Sequence, residues 1–154
     1  MNIETLNVSS GSLDWRAHAL SNFPCFPFVL DRVAIASAEG FIQGIKFPQD
    51  DPRRQEAFRS WGKNAKRIGE SASREHVWWN DCQLPYNSPA HRDLIERAIV
   101  AKFSYNEGAR LALISTGDIV LVHDVEPESP FTSLPAAVFC RILTDIRTQL
   151  RTQL

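Results

Sequence analysis

The sequence predicts an α+β fold dominated by helices, five or six of them around a few short strands. Three observations lead there. Apolar residues recur at helical spacing in Leu94, Ile95, Ala98, Ile99 and Phe103, and again in Val138, Ile142, Ile146 and Leu150, each set forming one stripe. Helix-starting signals stand at Ser37, Asp51-Pro52 and Ser88-Pro89, a capping side chain alone or with proline at the first helical position. Apolar runs that suit strands are only three or four residues long: Phe28-Val29-Leu30, Val33-Ala34-Ile35 and Ile119-Val120-Leu121-Val122.

A chain of 154 residues is one domain, able to bury about 68–70% of its unfolded surface. Residues 1–12, rich in Ser, Asn and Gly, read as a loose terminus. Residues 13–150 make the domain, and 151–154, the second copy of an Arg-Thr-Gln-Leu run, read as an extension. A net charge of −1 gives no basic excess of the kind general nucleic-acid binding uses. The three cysteines, Cys25, Cys82 and Cys140, fit no metal spacing and read as free thiols of a cytoplasmic protein. No signal peptide or membrane-length apolar run is recognisable. Zinc spacing, a phosphate-binding glycine fingerprint and a nucleophile elbow are missing as well. Neither cofactor nor metal is expected.

Taken in order, Leu13 to Leu20 suits a short helix with Trp15 as a core anchor. Ser21-Asn22-Phe23-Pro24 suits a turn, because proline biases the residue before it away from helix. There Asn22 either stabilises the turn or contacts a ligand. Asp31-Arg32 joins two strands in a hairpin. The Ser37 helix follows, then a polar helix from Arg53 to Lys66 with Phe58 and Trp61 turned inward. Its Lys63, Lys66 and Arg67 make either a solvated face or a phosphate site. Residues 71–88 read as a loop containing Trp78-Trp79. One ring is expected in the core and the other, preferably Trp79, against a planar base. The helix after Ser88 ends near Lys102, read as a lysine favoured by the helix dipole. Ala109 to Ser115 forms another helix, stopped by Gly117 in the left-handed position. Ile119–Val122 suits a central strand. It empties into His123-Asp124, where His123 is either structural or an acid/base. A last helix runs from Pro135 to Leu154.

The Ser37–Phe47 stretch concentrates the chemistry. At about 100° per residue, Glu39, Gln43 and Lys46 share one sector, while Phe41 and Ile45 lie opposite. The face is either a solvated stripe or a site carrying a carboxylate, an amide and an amine in line. Gly40 and Gly44, one turn apart, each cost roughly 1 kcal/mol in a helix interior. Another helix or a ligand must therefore approach that backbone closely.

Ser21-Asn22-Phe23, Pro27 to Asp31, and Ser37-Ala38-Glu39 with Gln43 and Lys46-Phe47 resemble the opening signature of the NADAR (YbiA-like) family. The middle run Lys63 to Gly69 resembles the family's Ala-Lys-x-x-Gly-like element. Ala98 to Phe103, Asn106, and Thr116-Gly117-Asp118 with Leu121-Val122 continue the likeness in order. The resemblance implies a YbiA-like fold and hydrolysis of the N-glycosidic bond between a base and ribose phosphate or ADP-ribose. It implies Glu39 and Lys46 as site residues. The expected substrate is a small ribosyl or ADP-ribosyl molecule, with ADP-ribosylated guanine in nucleic acid as a further candidate and no membrane partner. A binding module for ADP-ribose or a related nucleotide is the alternative. The chain departs from the family's pattern at Gly40, where His is common, and at His123, where Glu is common. Ser129 to Pro135 replaces the usual glycine-rich segment.

Cleaving a ribosyl–base bond requires a proton for the departing nitrogen and stabilisation of an electron-poor sugar carbon. Glu39 is expected as acid/base and Lys46 as nucleophile or stabiliser. Asp118 or His123 would orient ribose hydroxyls. Asn22, Phe23, Gln43, Trp79 and Asn106 are the expected substrate contacts.

Overall fold

The structure, a computed structural model, describes residues 3–124 and 127–154. Its elements in chain order are β1 (Thr5–Asn7), α1 (Trp15–Leu20), β2 (Phe28–Leu30), β3 (Val33–Ile35), α2 (Ala38–Gly44), α3 (Pro52–Phe58) and α4 (Gly62–Gly69). They continue with β4 (His76–Trp79), β5 (Cys82–Pro85), α5 (Pro89–Tyr105), α6 (Glu107–Ser115), β6 (Val120–Val122) and α7 (Ala136–Thr152). The helix-dominated α+β class is the one expected. Among the described residues there are seven helices rather than five or six, because the segment expected as one helix from Arg53 to Lys66 is two. The break falls at Arg59–Trp61, and Gly62 behind it has a φ of +61°, a conformation that glycine adopts without a Cβ penalty.

α2 is the hub. Every one of its residues is buried, and it packs against α3, α4, α5 and β3. Ser37 caps it, its Oγ accepting from the Gly40 N–H at 2.9 Å and donating to the Ser60 carbonyl at 2.8 Å. A Cβ on Gly40 would lie 2.5 Å from the Ala57 carbonyl oxygen and 2.6 Å from that of Ser60. One on Gly44 would lie 2.3 Å from the Phe58 ring. The close neighbour that the two glycines demanded is therefore the α3 helix and its exit. Phe41 packs on Phe58 and edge-on against Trp79, and Arg54 ties the layer together through the carbonyls of Phe47 and Trp78.

The strands form three two-stranded pairs. β2 and β3 make the expected antiparallel hairpin over Asp31-Arg32, with φ of 47° and 70°. Positive φ at both loop residues is the two-residue turn whose twist matches the strands. β4 and β5 form a second hairpin over Asn80-Asp81, φ 49° and 60°, in the segment expected to be a loop. Asp31 joins the two turns. Its carboxylate accepts from Trp79 Nε1, Asn80 Nδ2 and Arg97 Nη2 at 2.7–2.9 Å. Those donors hold it down to about 2, Arg97 foremost.

β6 is not central. Among the described residues it pairs only with β1, in parallel, Leu6 opposite Leu121. Residues 1 and 2 lie outside the described residues, but within the segment expected to be loose β1 is docked, with Leu6 and Val8 buried and Ile3 still 76% exposed. Leu6 and Val8 join the hydrophobic core as β1 pairs with β6, which outweighs the polar neighbours. Two expected core aromatics face outward, Trp15 at 58% and Trp61 at 53% exposure. Each sits at a helix start, where the apolar stripe of the helix does not yet dictate orientation. Gly117 has a φ of +56° just after α6, as expected of a left-handed cap.

Candidate active site

The Glu39–Gln43–Lys46 face is buried, not a solvated stripe. Gln43 Nε2 donates to Glu39 Oε1 at 2.8 Å, and Lys46 Nζ donates to Gln43 Oε1 at 2.9 Å. One side-chain amide thus connects an acid and an amine. Glu39 is 8% and Gln43 7% exposed, and Lys46 is half-buried, so the relay opens at its lysine end. Burial pushes the Glu39 carboxyl up, against the lowering effect of the Gln43 hydrogen bond and the charges of Lys46 and Lys66. Burial pushes the Lys46 ammonium down, opposed by Glu39 and assisted by the positive charges of Arg74 and Lys66. A carboxyl that holds its proton and an amine that sheds one are the states needed to donate to a leaving group and to attack a carbon. Gly69 makes room for the bridge. A Cβ there would fall 1.7 Å from Gln43 Oε1, so α4 can pass the amide only with glycine at this position.

Asn22 adjoins the acid. Its carbonyl accepts from the Glu39 N–H at 2.9 Å. Its side-chain Oδ1 is buried with no hydrogen-bond partner among the described residues. The turn-stabilising reading of this side chain finds no support, and an unpartnered acceptor on a residue bonded to the backbone of a buried acid suits a ligand hydroxyl. Phe23 is half-buried and offers its carbonyl to the Gly62 N–H at 2.8 Å.

Four expected site residues are not brought to this place. Trp79 is 5% exposed, set edge-on to Phe41 and Phe58 with its Nε1 on Asp31. A ring sealed this way has no face for a base. Asn106 Nδ2 ties the end of α5 to the carbonyls of Pro27 and Lys102. Asp118 is exposed and paired with Arg151 at 2.7 Å. His123 Nδ1 bonds the Val8 carbonyl at 2.6 Å and the ring stands edge-on to Phe139. Asp118 and His123 flank β6, which packs on β1 and α7, whereas α2 packs on other elements.

His91 was missed. It is fully buried at the start of α5, and its Nδ1 accepts from the Asn87 N–H at 2.9 Å. Burial, with the charges of Lys46 and Arg92, pushes it down to about 4. A neutral ring accepting at Nδ1 carries its proton on Nε2, an atom with no partner among the described residues. The only sequence signal was Ser88-x-x-His91, which reads as an ordinary helix start. Two shallow hollows of about 380 Å³ each lie along α5, one lined by Leu30, Arg97 and Val100, the other by Asn87, Arg92 and Arg141. Neither reaches the relay.

Residues 14–148 match the family model described as bacteriophage protein GP30.3. The chain belongs to the GP30.3 family. A relative from Enterobacteria phage T4, described as an uncharacterized 17.1 kDa protein in the Gp30-rIII intergenic region, is 31% identical over 142 residues. That match spans 88% of this chain and 93% of the relative. Among solved structures, the NMR structure of the E. coli protein YbiA superposes with a TM-score of 0.68 at 23% identity, covering 99% of this chain and 89% of that one. This GP30.3 member therefore has a YbiA-like NADAR fold, as its motifs implied. The described helices include none long and apolar enough to cross a membrane.

Proposed function

We propose that the protein hydrolyses the N-glycosidic bond between a base and ribose phosphate or ADP-ribose. The observation that carries this reading is the buried Glu39–Gln43–Lys46 relay, in which acid and amine are shifted in opposite directions. Glu39 Oε1 is occupied by Gln43, which leaves Oε2 to hold the proton. Glu39 donates that proton to the departing base nitrogen as the bond to the sugar carbon C1′ breaks. Lys46, as the free amine, attacks C1′ as that bond breaks; the ring C1′–O4′ bond then opens, O4′ taking a proton from the new ammonium, which leaves a Schiff base between C1′ and Lys46. Water then adds to C1′, the carbon–Lys46 bond breaks, and the proton carried off by the departing amine returns to Glu39, so one water is consumed and base and sugar leave separately. Asn22 Oδ1 accepts from a ribose hydroxyl. Lys66 and Arg74, whose charges act on Lys46, favour an anionic substrate such as a sugar phosphate.

The alternative is a module that binds ADP-ribose without cleaving it. It draws support from His123, which stands where the NADAR pattern that the chain resembles has Glu and whose Nδ1 bonds the Val8 carbonyl. Purified protein mixed with ADP-ribosylated guanosine and with free ADP-ribose separates the two. Released guanosine means hydrolysis, and thermal stabilisation without product means binding. Borohydride should trap a covalent sugar adduct on the wild type and none on Lys46→Ala. If Glu39→Gln and Lys46→Ala both turn over ribosyl substrates at the wild-type rate, the proposal fails.

A further inference from the structure

Lys102 occupies the last turn of α5, where an exposed cation facing the helix dipole is the ordinary arrangement. It is instead 1% exposed. Its Nζ donates to the carbonyls of Ala19 and Ser21, each at 2.7 Å, and the rings of Phe26 and Phe103 lie 5.4 and 5.3 Å away. Among the described residues no carboxylate pairs with it. Burying an amine without a counter-ion is expensive, and an aliphatic side chain would fill the same space more favourably. The amine must therefore secure something that packing alone does not.

What it secures is the exit of α1. The helix leaves its final carbonyls without partners, and Lys102 takes two of them from 83 and 81 positions away in the chain. The Ser21 carbonyl belongs to the peptide that leads into Asn22. The next carbonyl, that of Asn22, receives the Glu39 N–H. The residue so held has its side-chain Oδ1 buried and unpartnered among the described residues. Both sides of the Asn22 peptide unit are thus held, one by Lys102 and one by the first turn of α2.

We infer that Lys102 is a positioning residue for the sugar site: by gripping the Ser21 carbonyl it fixes Asn22 so that its side-chain amide meets a ribose hydroxyl next to Glu39. The ribose rests on the function proposed above, whereas the grip on Asn22 does not. A neutral amine still has two N–H groups for its two carbonyl partners, so the grip survives loss of the third proton.

A double-mutant cycle tests the inference. Asn22→Ala and Lys102→Met should each weaken ADP-ribose binding about tenfold, and the double variant should bind no more weakly than either alone. Losses that multiply, or a Lys102→Met protein that binds like wild type, overturn the positioning role. Should the methionine variant fail to fold, Lys102→Gln, with a two-hydrogen donor on a shorter stem, carries the same cycle. A ligand-independent readout separates this inference from the glycosidase proposal. In 15N spectra the Asn22 side-chain amide should give one sharp, slowly exchanging pair in the wild type and an averaged pair in the variant. Unchanged Asn22 resonances sink the inference whether or not any ribosyl compound binds.

Discussion

Glu39 occupies a position that costs the fold stability. Its folded-state pKa lies above the unfolded value, so the native state holds the proton more tightly. Its contribution is greatest at low pH and is lost as pH rises through the folded pKa. At pH 7 Glu39→Gln should therefore melt a few degrees above the wild type while losing turnover, which paired thermal melts and activity assays will show. Lys102 has the opposite sign. Its folded pKa is pushed down to about 7 by burial, below the ordinary lysine value of about 10.4. Between those two values the unfolded chain binds more protons, so stability should rise from pH 7 toward pH 10. Urea melts across that window should show the rise in wild type and a flatter profile in Lys102→Met. The Glu39, Gln43 and Lys46 alignment was legible because helical spacing alone puts them on one face. Lys102 was not, since a lysine near a helix end looks the same in sequence whether it meets water or a neighbour's carbonyls. Asp118 and His123 misled for a related reason: order along the chain says nothing of which side of the molecule a strand end reaches.

Among elements, the packing of α2 against α3 and α4 sets the geometry of the relay. Gly40 faces backbone carbonyls, which cannot rotate away, so Gly40→Ala should destabilise by about 1–3 kcal/mol. Gly69→Ala meets the movable end of Gln43 instead. It should lower turnover as much as Gln43→Ala does, with a smaller loss in the thermal midpoint. Measuring both quantities on the two glycine variants separates backbone clash from relay damage. The need for a close neighbour at Gly40 and Gly44 could be read from the cost of two helix-interior glycines, though not which neighbour it was. The β4–β5 hairpin was harder to see. Asn80-Asp81 supports positive φ without glycine, and the adjacent tryptophans drew attention as ligand contacts rather than as strand residues of alternating burial.

At the level of the whole molecule, the class was legible because long apolar stripes in α5 and α7 outweigh three-residue strands. The docking of β1 was not, because three residues of strand carry almost no periodic signal and the partner lies near the other end of the chain. Leu6 is 8% exposed in that strand, and Leu6→Ala should cost about 2–5 kcal/mol in denaturant unfolding. A much smaller loss would mean that the β1–β6 pair adds little to the global stability.

That pairing also bears on how the protein is made. Thr5 to Asn7 leave the ribosome well before their hydrogen-bonding partners, Val120 to Val122, which lie more than a hundred positions further along. At about 5–20 residues per second, the early strand waits for roughly 6 to 23 s with an open edge. Synthesis thus imposes an order in which the β1–β6 pair closes only after α1 to α6 have been made.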